Sequence, residues 1–126
     1  MRFPARRVAE QVAAVGIVAV LVAVGLSTWR PVRVAGSSMN PALSAGDLVI
    51  VRRGSHIQVR DVVLYQETGH GPVLHRMIAR EGADAIRTKG DANPTADRDA
   101  VPVTAVVGPV RVVVPVGSFV AWWRGR

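Results

Sequence analysis

A mainly β domain carried on one N-terminal transmembrane helix is the fold class that this 126-residue sequence predicts. Three features predict it. An uncharged apolar run lies near the start. The remainder consists of short valine-rich runs separated by Gly, Pro, Asp and Ser, the pattern of strands and turns. The composition is 49% hydrophobic but only 5% aromatic. Valine and alanine therefore carry the apolar content, and branched valine suits a pleated, half-buried surface.

The apolar run extends from Val12 to Leu26. With Ser27, Thr28 and Trp29 it reaches the length needed to cross a bilayer as a helix. Arg2, Arg6 and Arg7 precede it, and Trp29 with Arg30 follows as an interfacial anchor would. A cleavable signal peptide has a similar start, but Trp29-Arg30-Pro31 stands where a small-x-small cleavage site would be. A core helix apolar on every face is hard to bury in so small a domain. The expected organisation is a cytoplasmic N-terminus over 1–11, an anchor over 12–29 and an extracytoplasmic β-rich domain over 30–126. The arginines set this orientation, tempered by Arg30 and Arg33 at the far end. The implied location is the plasma membrane, single-pass.

Seven strands are expected after the anchor: Val32–Ala35, Asp47–Arg53, Asp61–Gln66, Val73–Arg80, Ala85–Lys89, Val103–Val107 and Val110–Val116. Turns fall at Ser44-Ala45-Gly46-Asp47, Arg53-Gly54-Ser55, Gly69-His70-Gly71-Pro72, Glu81-Gly82 and Gly108-Pro109. No stretch past Trp29 carries a helical period. Phe119 to Arg126, with Trp122-Trp123-Arg124, is too short to span and is expected as a membrane-interface patch.

Composition narrows the function classes. The net charge of +7 comes almost wholly from arginine, Lys89 being the only lysine. These arginines are spread along the chain without interleaved aromatics, which suits anionic lipid headgroups and disfavours nucleic acid. There is no cysteine, so disulfides, a thiol nucleophile and thiolate zinc sites are excluded. His56 and His70 lack a metal-like spacing, and no phosphate-binding glycine loop occurs, so neither metal nor cofactor is expected.

Four segments carry the chemistry: Gly36-Ser37-Ser38-Met39-Asn40-Pro41, Gly46-Asp47-Leu48-Val49, His75-Arg76-Met77-Ile78, and Thr88-Lys89-Gly90-Asp91-Ala92-Asn93 continuing to Asp97. Each alone reads as a turn or a packed strand residue. In this order behind one apolar helix, they resemble the type I signal peptidases. That family has a Gly-x-Ser-Met-x-Pro serine box, in which Ser38 takes the nucleophile position. The resemblance spans roughly residues 12 to 115 and implies the signal-peptidase/LexA-like β fold. Where the common bacterial form has a lysine base, this chain has His75, like the endoplasmic-reticulum/archaeal-type branch.

A serine hydroxyl becomes nucleophilic when a neighbouring base accepts its proton, and neutral imidazole does this near neutral pH. A carboxylate behind the imidazole fixes its tautomer. Both Asp91 and Asp97 fall on family positions linked to this role, and the sequence alone does not separate them. Asp97 is the favoured orienter, with Asp91 shaping the loop or sharing the task; Asp99 is a solvated decoy. Ser38 N–H is the expected oxyanion donor. Ser37, Met39 and Pro41 are candidate oxyanion or substrate-binding residues, and Met39 and the terminal tryptophans are candidate pocket-lining or membrane-facing groups. The sequence departs from the family at Gly36, where many relatives add a hydroxyl, at Ala42, usually threonine, and at Arg60, often glycine.

The implied partners are the bilayer and preprotein signal peptides with small residues at the first and third positions before the cut. Oligomeric state is left open. Two alternatives stand beside this reading: a dedicated protease for one secreted protein, and an inert tethered β module used for binding.

Overall fold

A computed structural model describes residues 4–126; Met1, Arg2 and Phe3 lie outside the described residues. Helix α1 (Ala5–Thr28) contains 24 residues, none of them buried. At 1.5 Å per residue it is about 36 Å long, more than the roughly 30 Å of a hydrocarbon core. It is long and apolar enough to cross a membrane once. The helix starts earlier than the apolar run, at Ala5, and ends one residue sooner, because Trp29 already has extended backbone and opens β1.

Seven strands follow: β1 (Trp29–Arg33), β2 (Leu48–Arg52), β3 (Val62–Glu67), β4 (Gly71–Glu81), β5 (Ala85–Lys89), β6 (Val101–Pro102) and β7 (Val106–Val114). A short helix, α2 (Val116–Arg124), closes the chain. All strand pairings are antiparallel, in the order β1-β2-β7-β3-β4-β5-β6. The protein is therefore mainly β with an N-terminal apolar helix.

Two expected strands are corrected. The segment Val103–Val107 is mostly a 3-10 turn (Val103–Ala105), and its last two residues join Val110–Val114 in the single strand β7. The expected turn at Gly108-Pro109 is the middle of that strand. There β7 leaves β3 and begins to pair with β2, between two register shifts. Pro109, with no N–H to give a ladder, is tolerated at this crossing. A Cβ on Gly108 would lie 1.9 Å from the Arg52 carbonyl oxygen, so only glycine lets the backbones cross.

The core has two clusters, and β3 divides them. Leu64 faces the first, with Val34, Met39, Leu43, Val49 and Val51. Val63 and Tyr65 face the second, with Ile57, Met77, Ile86 and Val101. Buried on both faces, β3 reads as the continuous apolar run Val62–Tyr65 rather than as alternation.

The terminal helix was not expected. Its nine residues are too few to display a helical period, and Asp47 holds its start. The Asp47 carboxylate is 2% exposed. It accepts the Ser44 and Ser118 N–H groups, each at 2.9 Å, and the Ser118 hydroxyl at 3.2 Å. Burial pushes its pKa up, but these donors, with the Gly117 N–H, outweigh burial and hold it below the ordinary aspartate value. Its stabilisation is thus fully present above the unfolded pKa of about 4 and is lost as pH falls through the lower folded value. Replacing Asp47 by Ala should lower stability by about 2–4 kcal/mol at pH 7, because it orphans several donors. Urea unfolding should show that difference shrinking below about pH 4.

Candidate active site

Three segments converge beside β4. The loop after β1 carries Ser38, β4 itself carries His75, and the loop after β5 carries Asp97. Ser38 Oγ lies 3.2 Å from His75 Nε2. On the other side of the ring, Nδ1 lies 2.6 Å from Asp97 Oδ2. Asp97 Oδ2 also accepts the Thr88 hydroxyl at 2.7 Å and lies 3.5 Å from the Tyr65 hydroxyl. An oxygen that only accepts assigns the ring proton to Nδ1, leaving the Nε2 lone pair directed at the serine hydroxyl. The side chains of His75 and Asp97 are 13% and 21% exposed, shielded but within reach of a ligand.

Each member is held by backbone around it. His75 is paired with Val63 in the β3–β4 ladder. The Asp97 N–H donates to the Thr88 carbonyl at 2.9 Å, and Arg87 Nη1 donates to the carbonyls of Asp97 and Arg98. Ser38 is fixed through its own carbonyl, which accepts the Ala92 N–H at 2.9 Å. That contact needs Gly90: a Cβ there would sit 2.7 Å from the Ser38 carbonyl oxygen and 2.7 Å from the Asn93 amide nitrogen.

The other candidate residues separate. Asp91 stands outside the histidine's hydrogen bonds. Its two carboxylate oxygens take Nε and Nη2 of Arg76 at 2.8 and 2.7 Å, while Nη1 of the same guanidinium reaches the Arg60 carbonyl at 2.7 Å. Arg76 thereby holds the Asp91 pKa below the ordinary carboxylate range, against a smaller opposing effect of burial. Lys89 Nζ reaches the Gly90 carbonyl at 3.4 Å. Met39 is buried in the first core cluster and faces no membrane. Ser37 and Pro41 are exposed, with Asn40–Pro41 in the cis form. Among the described residues, the Ser38 N–H makes no hydrogen bond within the protein. Arg60 has a φ of 84°, a left-handed conformation natural to glycine.

Thr88, Arg87, Tyr65 and Gly90 form the supporting layer that sequence reasoning left without roles. Thr88 shares the buried face of β5 with Ile86, and the box Thr88-Lys89-Gly90-Asp91 is the signal that could have found it. Burial of the Tyr65 ring pushes its hydroxyl up to about 12, so it remains a protonated donor beside Asp97.

A groove of about 260 Å³ runs from Ser38 between Val32–Ala35 and Pro72–Leu74, with Leu64 and Met39 beneath. β4 pairs with β3 from Gly71 to Arg76, but its pairing with β5 begins only at Arg76. Gly71–His75 therefore presents an open strand edge to this groove, among the described residues.

A family model described as signal peptidase, peptidase S26, matches residues 6–98. The chain belongs to this signal peptidase family. The match starts within α1 and ends one residue past Asp97, so it includes all four sequence boxes. No curated protein matches the chain. For a signal peptidase the expected substrate is a preprotein, and an open strand edge beside a serine suits an extended chain.

Because the Ser38 backbone rests on Gly90, Gly90→Ala should displace the hydroxyl from the imidazole. With Ser38 as the expected nucleophile, preprotein cleavage should then fall by about 100-fold. A kinetic assay against a preprotein checks this, with circular dichroism reporting the retained β fold.

Proposed function

We propose that this chain is a membrane-anchored serine endopeptidase that removes signal peptides from secreted preproteins. In this reading Ser38 is the nucleophile, His75 the base and Asp97 the residue that orients it. The observation that carries the proposal is the continuous relay from Ser38 Oγ through His75 to Asp97, 3.2 and 2.6 Å at its two contacts, beside an open strand edge. Histidine in the base position aligns the chain with the endoplasmic-reticulum/archaeal-type branch.

The mechanism follows from the atoms. An extended substrate pairs with the Gly71–His75 edge, and its carbonyl reaches Ser38. His75 Nε2 takes the hydroxyl proton as Oγ attacks, and the oxyanion that forms is stabilised by the Ser38 N–H. The imidazolium, held by Asp97, then protonates the leaving amine, so the peptide bond breaks and an acyl-serine remains. Water, deprotonated by the same imidazole, releases the acyl group and restores the serine. The groove beside Ser38, floored by Met39 and Leu64, admits small side chains at the first and third positions before the cut.

Anchoring fits the same task. With α1 across the bilayer and the β domain on the extracytoplasmic side, the enzyme meets cleavage sites as they emerge, and tethering raises its local concentration there. The exposed Phe119, Trp122 and Trp123 of α2 rest at the interface in this arrangement.

Ser38→Ala and His75→Ala should each reduce preprotein cleavage by at least about 10³-fold while thermal unfolding stays cooperative. Full activity in either variant would refute the assignment. The lysine alternative has its own test. Lys89→Arg should keep most activity and His75→Lys very little, measured as initial rates on the same preprotein; the opposite ranking would restore a Ser–Lys mechanism.

A further inference from the structure

A second cavity, of about 490 Å³, lies beside the groove just described. The two are separated by the alternation of β4. Leu74 packs with the first core cluster and lines the groove alone, whereas Val73 packs with the second and borders both the groove and the cavity. His75 shares the Val73 side, edge-on to Tyr65 at 6.4 Å between ring centroids. Both Val73 and His75 line the large cavity, together with Glu67, His70 and Asp99.

A substrate strand added to an edge obeys the same period of two. If its first and third side chains before the cut enter the groove on the Leu74 side, its second must project to the opposite face, above the cavity. Resting on the peptidase reading, we propose that this cavity binds the side chain of the second residue before the cut and selects a long cationic one. Its volume falls in the range of ligand pockets and far exceeds what an alanine needs. Its charge sets the sign. Glu67, Asp97 and Asp99 line it against the single arginine Arg98, and His70 lies 3.7 Å from Glu67. Asp97 is engaged by His75 and Thr88, so Glu67 and Asp99 are the carboxylates open to a ligand.

The test uses the full chain in detergent micelles and four preprotein peptides that differ only at the second position before the cut: Ala, Gln, Arg or Glu. In kcat/KM, Arg should exceed Ala by about fivefold, Gln should lie between them, and Glu should fall below Ala. In the double variant Glu67→Gln with Asp99→Asn, the ratio of Arg to Glu peptides should collapse to within about twofold. Equal kcat/KM for all four peptides in the unmodified chain would overturn the subsite and leave the peptidase standing, as would an Arg-to-Glu ratio unchanged by the double substitution. Failure to cleave any of the four would overturn the peptidase reading and the subsite with it.

Discussion

One carboxylate oxygen, Oδ2 of Asp97, is the point on which the arrangement depends. His75 from β4 and Thr88 from β5 bond to it, and the Tyr65 hydroxyl of β3 faces it. Three neighbouring strands are thus tied to a loop that has no regular structure of its own. Remove that carboxylate and the imidazole loses the partner that fixes its tautomer, and the buried Thr88 hydroxyl loses its acceptor. The backbone contact from Asp97 to Thr88 and the Arg87 clamp keep the oxygen in place, so its position is set from outside the site.

A second constraint works at a distance. Ser38 belongs to a loop between β1 and β2, and that loop is held at both ends. At one end the Ser38 carbonyl rests on the Gly90 turn; at the other, Asp47 accepts the N–H groups of both Ser44 and Ser118 of α2. A Cβ on Gly117 would lie 2.1 Å from the Ala45 carbonyl oxygen, so α2 seats directly on this loop. Two structural carboxylates, Asp47 and Asp91, therefore flank the site without bonding to Ser38, His75 or Asp97. Each keeps its charge through donors that the fold supplies, Ser44 and Ser118 for one and Arg76 for the other.

Much of the fold was legible because valine runs and glycine turns report local preference directly. The misreadings came where tertiary packing overrides it. Gly108-Pro109 has the composition of a turn, but the carbonyl of a crossing strand makes glycine necessary and the register change makes proline harmless. The helix α2 is short, and its stability derives from Asp47, distant in sequence. At the site, ordered boxes singled out Ser38, His75, Asp91 and Asp97, but only the fold shows which aspartate meets the imidazole and which the guanidinium. Asp91 and Asp97 sit in the same loop with similar neighbours in sequence. What separates them is a guanidinium fifteen residues away. Arg60, which departs from the glycine common in relatives, occupies a left-handed turn all the same, bonded through its carbonyl to that guanidinium.

The passage from α1 to β1 contains no spacer. Thr28 ends the helix and Trp29 begins the strand, while the Thr28 carbonyl accepts the Arg53 N–H at 2.8 Å and Arg52 stacks over the Trp29 ring. Such a joint has little freedom to swivel. With β1 about 17 Å long, the hydroxyl of Ser38 is held at a nearly constant height above the end of the helix. In the membrane-anchored arrangement proposed above, the stalk would behave as a measuring rod. A thicker or thinner bilayer, by changing how far the helix tilts, would raise or lower the blade relative to the lipid surface. The distance between a client's hydrophobic segment and its scissile bond would be gauged by the same rod.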